Sequence, residues 1–154
     1  MAVSAAAIKD FLESAKLISS VSNDKLSRSL FLYERATKTT TMLTGMPGGG
    51  GSDRGAVLAT FADAVEDSKQ WNVFAKQRRN LIKQFIKDAE ISNLHKAILV
   101  WRYVLCAEWS LIFSLLRNSR GISESTMYRE HNRALEAAAD WVNKTGKYRE
   151  EISK

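Results

Sequence analysis

The sequence predicts an all-α protein, and three observations carry that reading. Apolar residues recur at steps of three and four along most of the chain. No stretch alternates with the period of two that a half-buried strand needs. A single proline in 154 residues leaves long stretches free to be helical. A chain of this length makes one domain, or one domain with a helical extension, and can bury a core without disulfides or metal. The apolar share of 45% and charged share of 26% are those of an ordinary globular chain. The lone cysteine, Cys106, leaves no internal disulfide and no cysteine-built metal cage.

The first element is an N-terminal helical region over residues 1–44. Ile8, Phe11, Leu12, Ala15 and Ile18 repeat at helical spacing, and Leu26, Leu30, Phe31 and Tyr33 continue the repeat after a polar gap at Ser19–Asp24. One long helix or two shorter ones fit, ending in the hydroxyl-rich run Thr37–Thr41. Residues 45–55 hold the only proline and six of the eight glycines, which predicts a flexible linker. No Lys-Ser or Lys-Thr follows these glycines and no strand precedes them, so they do not make a Walker loop.

A second long helix is expected over residues 56–90. Val57, Phe61, Ala64, Ser68, Trp71, Ala75, Arg78, Ile82 and Phe85 alternate steps of three and four, giving one narrow seam with imperfections at Ser68 and Arg78. The linker would let this helix fold back on the first as an antiparallel hairpin. Lys76, Arg79, Lys83 and Lys87 share a face with no acidic residue between 76 and 87. That stripe fits a solvated outer face, or a contact to phosphates or an acidic partner.

Residues 91–142 form the third region. Asp88–Asn93 breaks the helix, and Ser92 or Asn93 can cap the next one. A helix from about Leu94 to Cys106 is apolar on most sides and belongs in a core, with Cys106 as a small buried hydrophobe. Trp109, Ile112, Phe113, Leu115 and Leu116 predict another buried helix, within 107–117. Arg117-Asn118-Ser119-Arg120-Gly121 is a polar turn. Ser123 caps a final helix whose inner face is Met127, His131, Ala134, Leu135 and Ala138. Residues 143–154 are polar and are expected to form a flexible tail, with Trp141 anchoring the helix before them.

Several function classes are excluded or unsupported. The longest apolar run, Ala97–Trp101, is stopped by Arg102, far short of the roughly 20 residues of a membrane span. The apolar N-terminus lacks a basic leader and ends at Lys9-Asp10, which argues against a signal peptide and for a soluble, cytoplasmic protein. His95 and His131 stand apart from any cluster at ligand spacing. Asp63, Glu66 and Asp67 fit a solvated or helix-pairing face better than an acid–base pair. Neither a nucleophile–base pair, nor a metal site, nor a cofactor motif emerges, and a non-enzymatic protein is expected.

Charge points elsewhere. The chain carries a net charge of +6, of which residues 1–77 supply +1 and residues 78–154 supply +5. A basic half-chain attracts polyanions, nucleic acid first among them. Two short helices followed by a glycine turn and a capped helix make a helix-turn-helix plan, whose second helix enters the major groove. Glu124, Ser125, Tyr128, Arg129, Asn132 and Arg133 face away from the inner side of that helix, and these residue types can read base edges. Arg117, Arg120 and Arg133 suit phosphates. An ordinary amphipathic terminal helix would show the same pattern.

The residues also carry a resemblance. Leu99-Val100-Trp101-Arg102-Tyr103, then Trp109-Ser110-Leu111-Ile112, then Ser123 with Met127-Tyr128-Arg129-Glu130-His131-Asn132-Arg133-Ala134-Leu135 resemble the C-terminal part of phage late-gene transcription regulators of the ArpU and RinA type. That part is similar to the fourth region of bacterial sigma factors, which reads the −35 promoter element. Thr39–Pro47 and the following glycines up to Asp53 are similar to the family's Thr-rich helix end and linker. The resemblance implies a recognition helix over 123–140, capped by Ser123, with Glu124, Ser125 and Arg129 facing bases and Tyr128 and Arg133 holding phosphates. It implies that His131 orients the helix. It implies promoter DNA as the partner, with the N-terminal hairpin serving a homodimer or host RNA polymerase. A protein-interaction module that binds polymerase or a packaging component without reading DNA is the alternative. Two departures stand out: a connection of six residues, Arg117–Ile122, longer than the family's, and Glu130 in place of an apolar residue. Both would alter how the helix docks.

Overall fold

The computed structural model describes residues 2–42 and 51–153, and among them every regular element is helical. The elements are α1 (Ala5–Met42), α2 (Gly51–Asp88), α3 (Asn93–Leu99), a π-helical turn (Val100–Val104), α4 (Trp109–Arg120), α5 (Glu124–Thr145) and the single turn α6 (Arg149–Ile152). Helix α1 is continuous through the polar gap and the threonine run, so one helix forms rather than two. Residues 51–55, expected in the linker, belong to α2, because extending an established helix adds one hydrogen bond per residue fixed. The rest of that expected linker, 45–50, lies outside the described residues.

The chain divides into two compact units, one of residues 1–16 with 76–154 and one of residues 17–75. In the first, Ile8, Phe11, Leu12 and Ala15 of α1 and Ile82, Phe85 and Ile86 of α2 pack with Leu99, Tyr103, Leu135, Ala138, Trp141 and Val142. Phe85 meets Phe11, Trp141 and Tyr148 edge-on at centroid distances of 5.4, 6.0 and 5.4 Å. Each such fully buried side chain contributes roughly 1.5–3 kcal/mol. The seam's imperfection at Arg78 has a local solution. Its Nε donates to Ser14 Oγ at 2.7 Å, and the guanidinium lies 4.5 Å from the centre of the Phe11 ring.

The tail was expected to be flexible, and the structure corrects this. Helix α5 runs on to Thr145 and stops at Gly146, whose φ of +72° provides the left-handed cap. Asn143 clamps Val3 reciprocally, accepting its N–H at 2.8 Å and donating to its carbonyl at 2.9 Å. The Tyr148 hydroxyl donates to Asp88 at 2.6 Å while its ring lies on Phe85. Polar composition hid an aromatic anchor.

In the 17–75 unit the two long helices run antiparallel, with Ser22 against Ser68 and Asn72, Lys25 against Asp67, and Tyr33 against Phe61. Among the described residues of this unit, the buried ones are Ser22, Ser29, Ser68 and Ala75. Leu26, Leu30, Phe31 and Tyr33, expected to continue the inner face of α1, are exposed instead. Small side chains at the seam let the backbones approach closely. The Ser22 hydroxyl is satisfied by Asn72 Oδ1 at 2.7 Å, so its burial leaves no orphan donor. Of the acidic trio, Asp67 pairs with Lys25 and Glu66 with Lys69.

Candidate nucleic-acid interface

Helices α3, α4 and α5 enclose a second apolar cluster in the larger unit, built on Ile98, Ile112, Leu116 and Met127 with Leu94, Trp101, Trp109, Phe113 and Ile122 against it. These are largely the positions that helical periodicity selected. Ser92 caps α3 by accepting the His95 N–H at 3.2 Å. The following helix does not continue in α form to Cys106. It widens into the π turn, Leu105 N–H bonding to Val100 O and Ala107 N–H to Trp101 O. The chain then leaves the helix, so Leu105 and Cys106 are exposed and Cys106 takes a φ of +52°. The expectation of a buried Cys106 is thereby corrected.

The connection between α4 and α5 is also shorter than the sequence suggested. Helix α4 absorbs Arg117–Arg120, leaving only Gly121, Ile122 and Ser123 between the two helices. Leu116 holds that last turn to the core, and Gly121 ends it with a φ of +64°, its N–H bonding to Arg117 O. Ser123 then caps α5, accepting the Thr126 N–H at 3.3 Å and donating to Thr126 Oγ1 at 2.9 Å. The polar residues Arg117–Arg120 resembled a loop because they form the exposed end of an amphipathic helix.

The nine candidate residues are all exposed: Arg117 and Arg120 at the end of α4, Ser123 at the cap, and Glu124, Ser125, Tyr128, Arg129, Asn132 and Arg133 along α5. They do not all remain free. Arg133 is engaged by Glu130 at 2.8 Å, and Glu130 in turn accepts from His95 Nε2 at 3.0 Å. Glu130 therefore neither points into solvent nor replaces an apolar contact; it bridges α3 to α5. The His95 bond, then Arg133, holds its carboxyl below the usual carboxylate range. The ring of Tyr128 lies 5.2 Å from that of Trp109.

Behind this face sits a polar pair that the sequence did not reveal. Tyr103 and His131 are both buried, with 2.8 Å between the hydroxyl and Nε2. Burial pushes the Tyr103 hydroxyl up to about 12, and burial pushes His131 below its ordinary value, with Asn132 pulling the other way. The two polar atoms share this one hydrogen bond, so neither is left unpaired in the core. Trp109 closes the site edge-on to His131 at 4.9 Å, and Arg102 lies 4.9 Å from the Trp109 ring centre while donating to Ala107 O at 3.2 Å. His131 sits on the inner side of α5, as its helical position suggested.

Leu111 and Leu115 were also missed. They are exposed one turn apart on α4, about 100° round the helix from Ile112 and Leu116, although Leu115 was expected to be buried. The helical period itself was the signal. The charge is also more diffuse than the half-chain sum implied. Residues 91–142 hold six basic and five acidic side chains, the remaining excess lying in 78–90 and 143–154. The stripe Lys76, Arg79, Lys83 and Lys87 is exposed on α2, with Lys96 Nζ donating to Lys87 O at 2.8 Å.

Compared with protein-family models, curated proteins and solved structures, the chain matches none. Among the described residues no group of three His, Cys, Asp or Glu side chains could hold a metal ion. No described helix is long and apolar enough to cross a membrane.

Proposed function

We propose that this protein is a sequence-specific DNA-binding transcription regulator of phage or prophage late genes (packaging, structural or lysis), acting in the bacterial cytoplasm at promoter DNA. The observation that carries the reading is the pair α4 and α5. They are joined by three residues over a shared apolar core, and the first turns of α5 present Glu124, Ser125, Tyr128, Arg129 and Asn132 outward. A helix-turn-helix reader places such a helix start in the major groove. Arg129 reads a base edge, and Arg117 and Arg120 hold phosphates. Arg133 gives one guanidinium nitrogen to Glu130 and keeps its other donors for a phosphate.

Replacing Arg129 by alanine is expected to cost about 1–3 kcal/mol of affinity and to relax preference at one base position. Selection of fragments from phage DNA with the wild-type and variant proteins measures both. Unchanged affinity and preference would place the recognition face elsewhere.

A second reading has its own support. Leu111 and Leu115 expose an apolar pair on α4, which suits a protein contact to host RNA polymerase or a packaging component. Salt separates the two readings. DNA affinity falls linearly with salt on logarithmic axes, by counterion release. A polymerase-binding module shows no DNA shift even at low salt and co-purifies with polymerase.

A further inference from the structure

We propose that the basic row near the end of α2, Lys76, Arg79, Lys83 and Lys87, is a second DNA contact that holds the phosphate backbone beside the bases met by α5. The inference rests on the reading of α4 and α5 as a DNA reader, and it starts from a shortfall there. Residues 91–142 hold six basic and five acidic side chains, whereas residues 76–90 hold five basic and two acidic ones. Affinity for a duplex comes largely from neutralised phosphates, and most hydrogen bonds in such interfaces go to phosphate and sugar. The reading helices carry little of that charge. The end of α2, in the same compact unit, carries more of it.

From residue 76 to residue 87 every exposed side chain of α2 is a lysine, an arginine or an amide. At about 100° per residue the four cations fall within a sector of roughly 80°. Gln77, Asn80 and Gln84 flank it on the solvent side, and the buried Ile82 and Ile86 lie on the other. The row rises about 16 Å, roughly the length of five phosphates along one strand. Lys9 pairs with Glu13, Lys25 with Asp67 and Lys69 with Glu66, but no ion pair among the described residues engages Lys76, Lys83 or Lys87. Like charges four residues apart destabilise a helix, a cost that a bound polyanion offsets. Asp88 adjoins the row, but its oxygens accept from the Tyr148 hydroxyl at 2.6 Å and from Gln84 at 2.8 Å.

The chemistry of the row selects its occupant. A protein interface centres on apolar and aromatic anchors and is poor in lysine. A membrane-surface helix needs an apolar face beside its basic one. No apolar side chain is exposed on α2 between residues 76 and 87. Cations and amides without such anchors suit phosphate oxygens, which accept hydrogen bonds from both. Helix α3 ties the row to the α5 face. Lys96 Nζ donates to the Lys87 carbonyl at 2.8 Å, and His95, the residue before it, bonds Glu130 of α5 at 3.0 Å. The row and the α5 face then act on one duplex, the backbone contact fixing the register in which α5 reads bases.

The test is titration of the full-length protein into a labelled DNA duplex of random sequence over a series of salt concentrations. Replacing Lys83 and Lys87 together by glutamine is expected to lower the salt slope by about 2, one phosphate for each lysine. Sequence preference, read by the same fragment selection as for Arg129→Ala, stays as it was. Helix content by circular dichroism is retained, since lysine and glutamine have similar helix propensity. Lys9→Gln, outside the row and paired with Glu13 at 3.9 Å, leaves the slope unchanged. An unchanged slope in the Lys83→Gln/Lys87→Gln protein overturns the proposal. So does a fall of about 1 in Lys9→Gln, which would report net charge alone. If the slope is unchanged while Arg129→Ala still relaxes base preference, the α5 reading stands without the row. If the slope falls while Arg129→Ala changes nothing, the row holds phosphates and the recognition face lies elsewhere. No binding at the lowest salt overturns both.

Discussion

Leu12 and Leu17 lie five residues apart on the same helix, and their environments could hardly differ more. Leu12 is fully buried in the larger unit, among the apolar residues of α2 and α5, whereas Leu17 in the 17–75 unit is 66% exposed. The larger unit builds its interior from several helices, so apolar side chains of any size find neighbours on every side. The 17–75 unit has two helices, so only one narrow stripe of each is covered, and serine and alanine occupy it. The lesson is that helical periodicity marks the position of a residue on a helix. The number of helices around it decides which positions become core.

The contrast can be broken most directly at Leu12. Leu12→Ala removes a fully buried side chain and is expected to lower unfolding stability by about 2–5 kcal/mol, measured by denaturant titration. Ser22→Leu tests the narrow seam from the other direction. It overpacks the seam of α1 and α2, where the Ser22 hydroxyl reaches the Ser68 carbonyl, with an expected loss of about 1–3 kcal/mol. A neutral or stabilising outcome would show that the seam has room. Gly121→Ala forces an L side chain into left-handed backbone at the α4 end and is expected to cost about 1–2 kcal/mol, though a Cβ there meets nothing within 4 Å. Thermal melts of the two proteins measure it.

Both units also bury hydroxyl groups, but only one couples that burial to pH. His131 is held neutral in the folded state, with a value below that of the unfolded chain. The unfolded state therefore binds more protons in acid. The stability that His131 contributes is complete above about pH 6.5 and falls as pH drops through the unfolded and then the folded value. Denaturant titrations over that range should show the decline, and His131→Gln should flatten it. Ser22, whose hydroxyl does not titrate in this range, contributes no such slope. The smallest effect is expected at Leu17→Ala, within about 0.5 kcal/mol of wild type under conditions where the chain is monomeric. A loss as large as that of Leu12→Ala would abolish the contrast between the units.

How much of this was legible follows the same division. The inner face of α5, from Met127 to Ala138, was readable because it packs on the neighbours that its own period presents to it. The candidate face from Glu124 to Asn132 was readable as its complement. The seam of α2 was readable even at Ser68, because residues at steps of three and four stay on one side whatever their chemistry. On α1, by contrast, the polar gap conceals Ser22, and the leucines that continue the apolar period lie exposed. Cys106 was misplaced because nothing local announces a π turn. The end of α4 was misplaced because four polar residues read as a turn, while Leu116 and Gly121 together extend the helix to Arg120.

The sequence by itself determined the all-α class, the order of the long helices, the Ser123 cap and which side of each helix is apolar. These depend on interactions within about one turn of the chain. Only the tertiary structure decided that small residues fill one seam while large ones fill the other core. It alone joined Tyr103 to His131, 28 residues apart, and Glu130 to His95, 35 apart. Such pairings arise when packed helices bring distant side chains within bonding distance. No local pattern encodes that distance, because it belongs to the assembled helices.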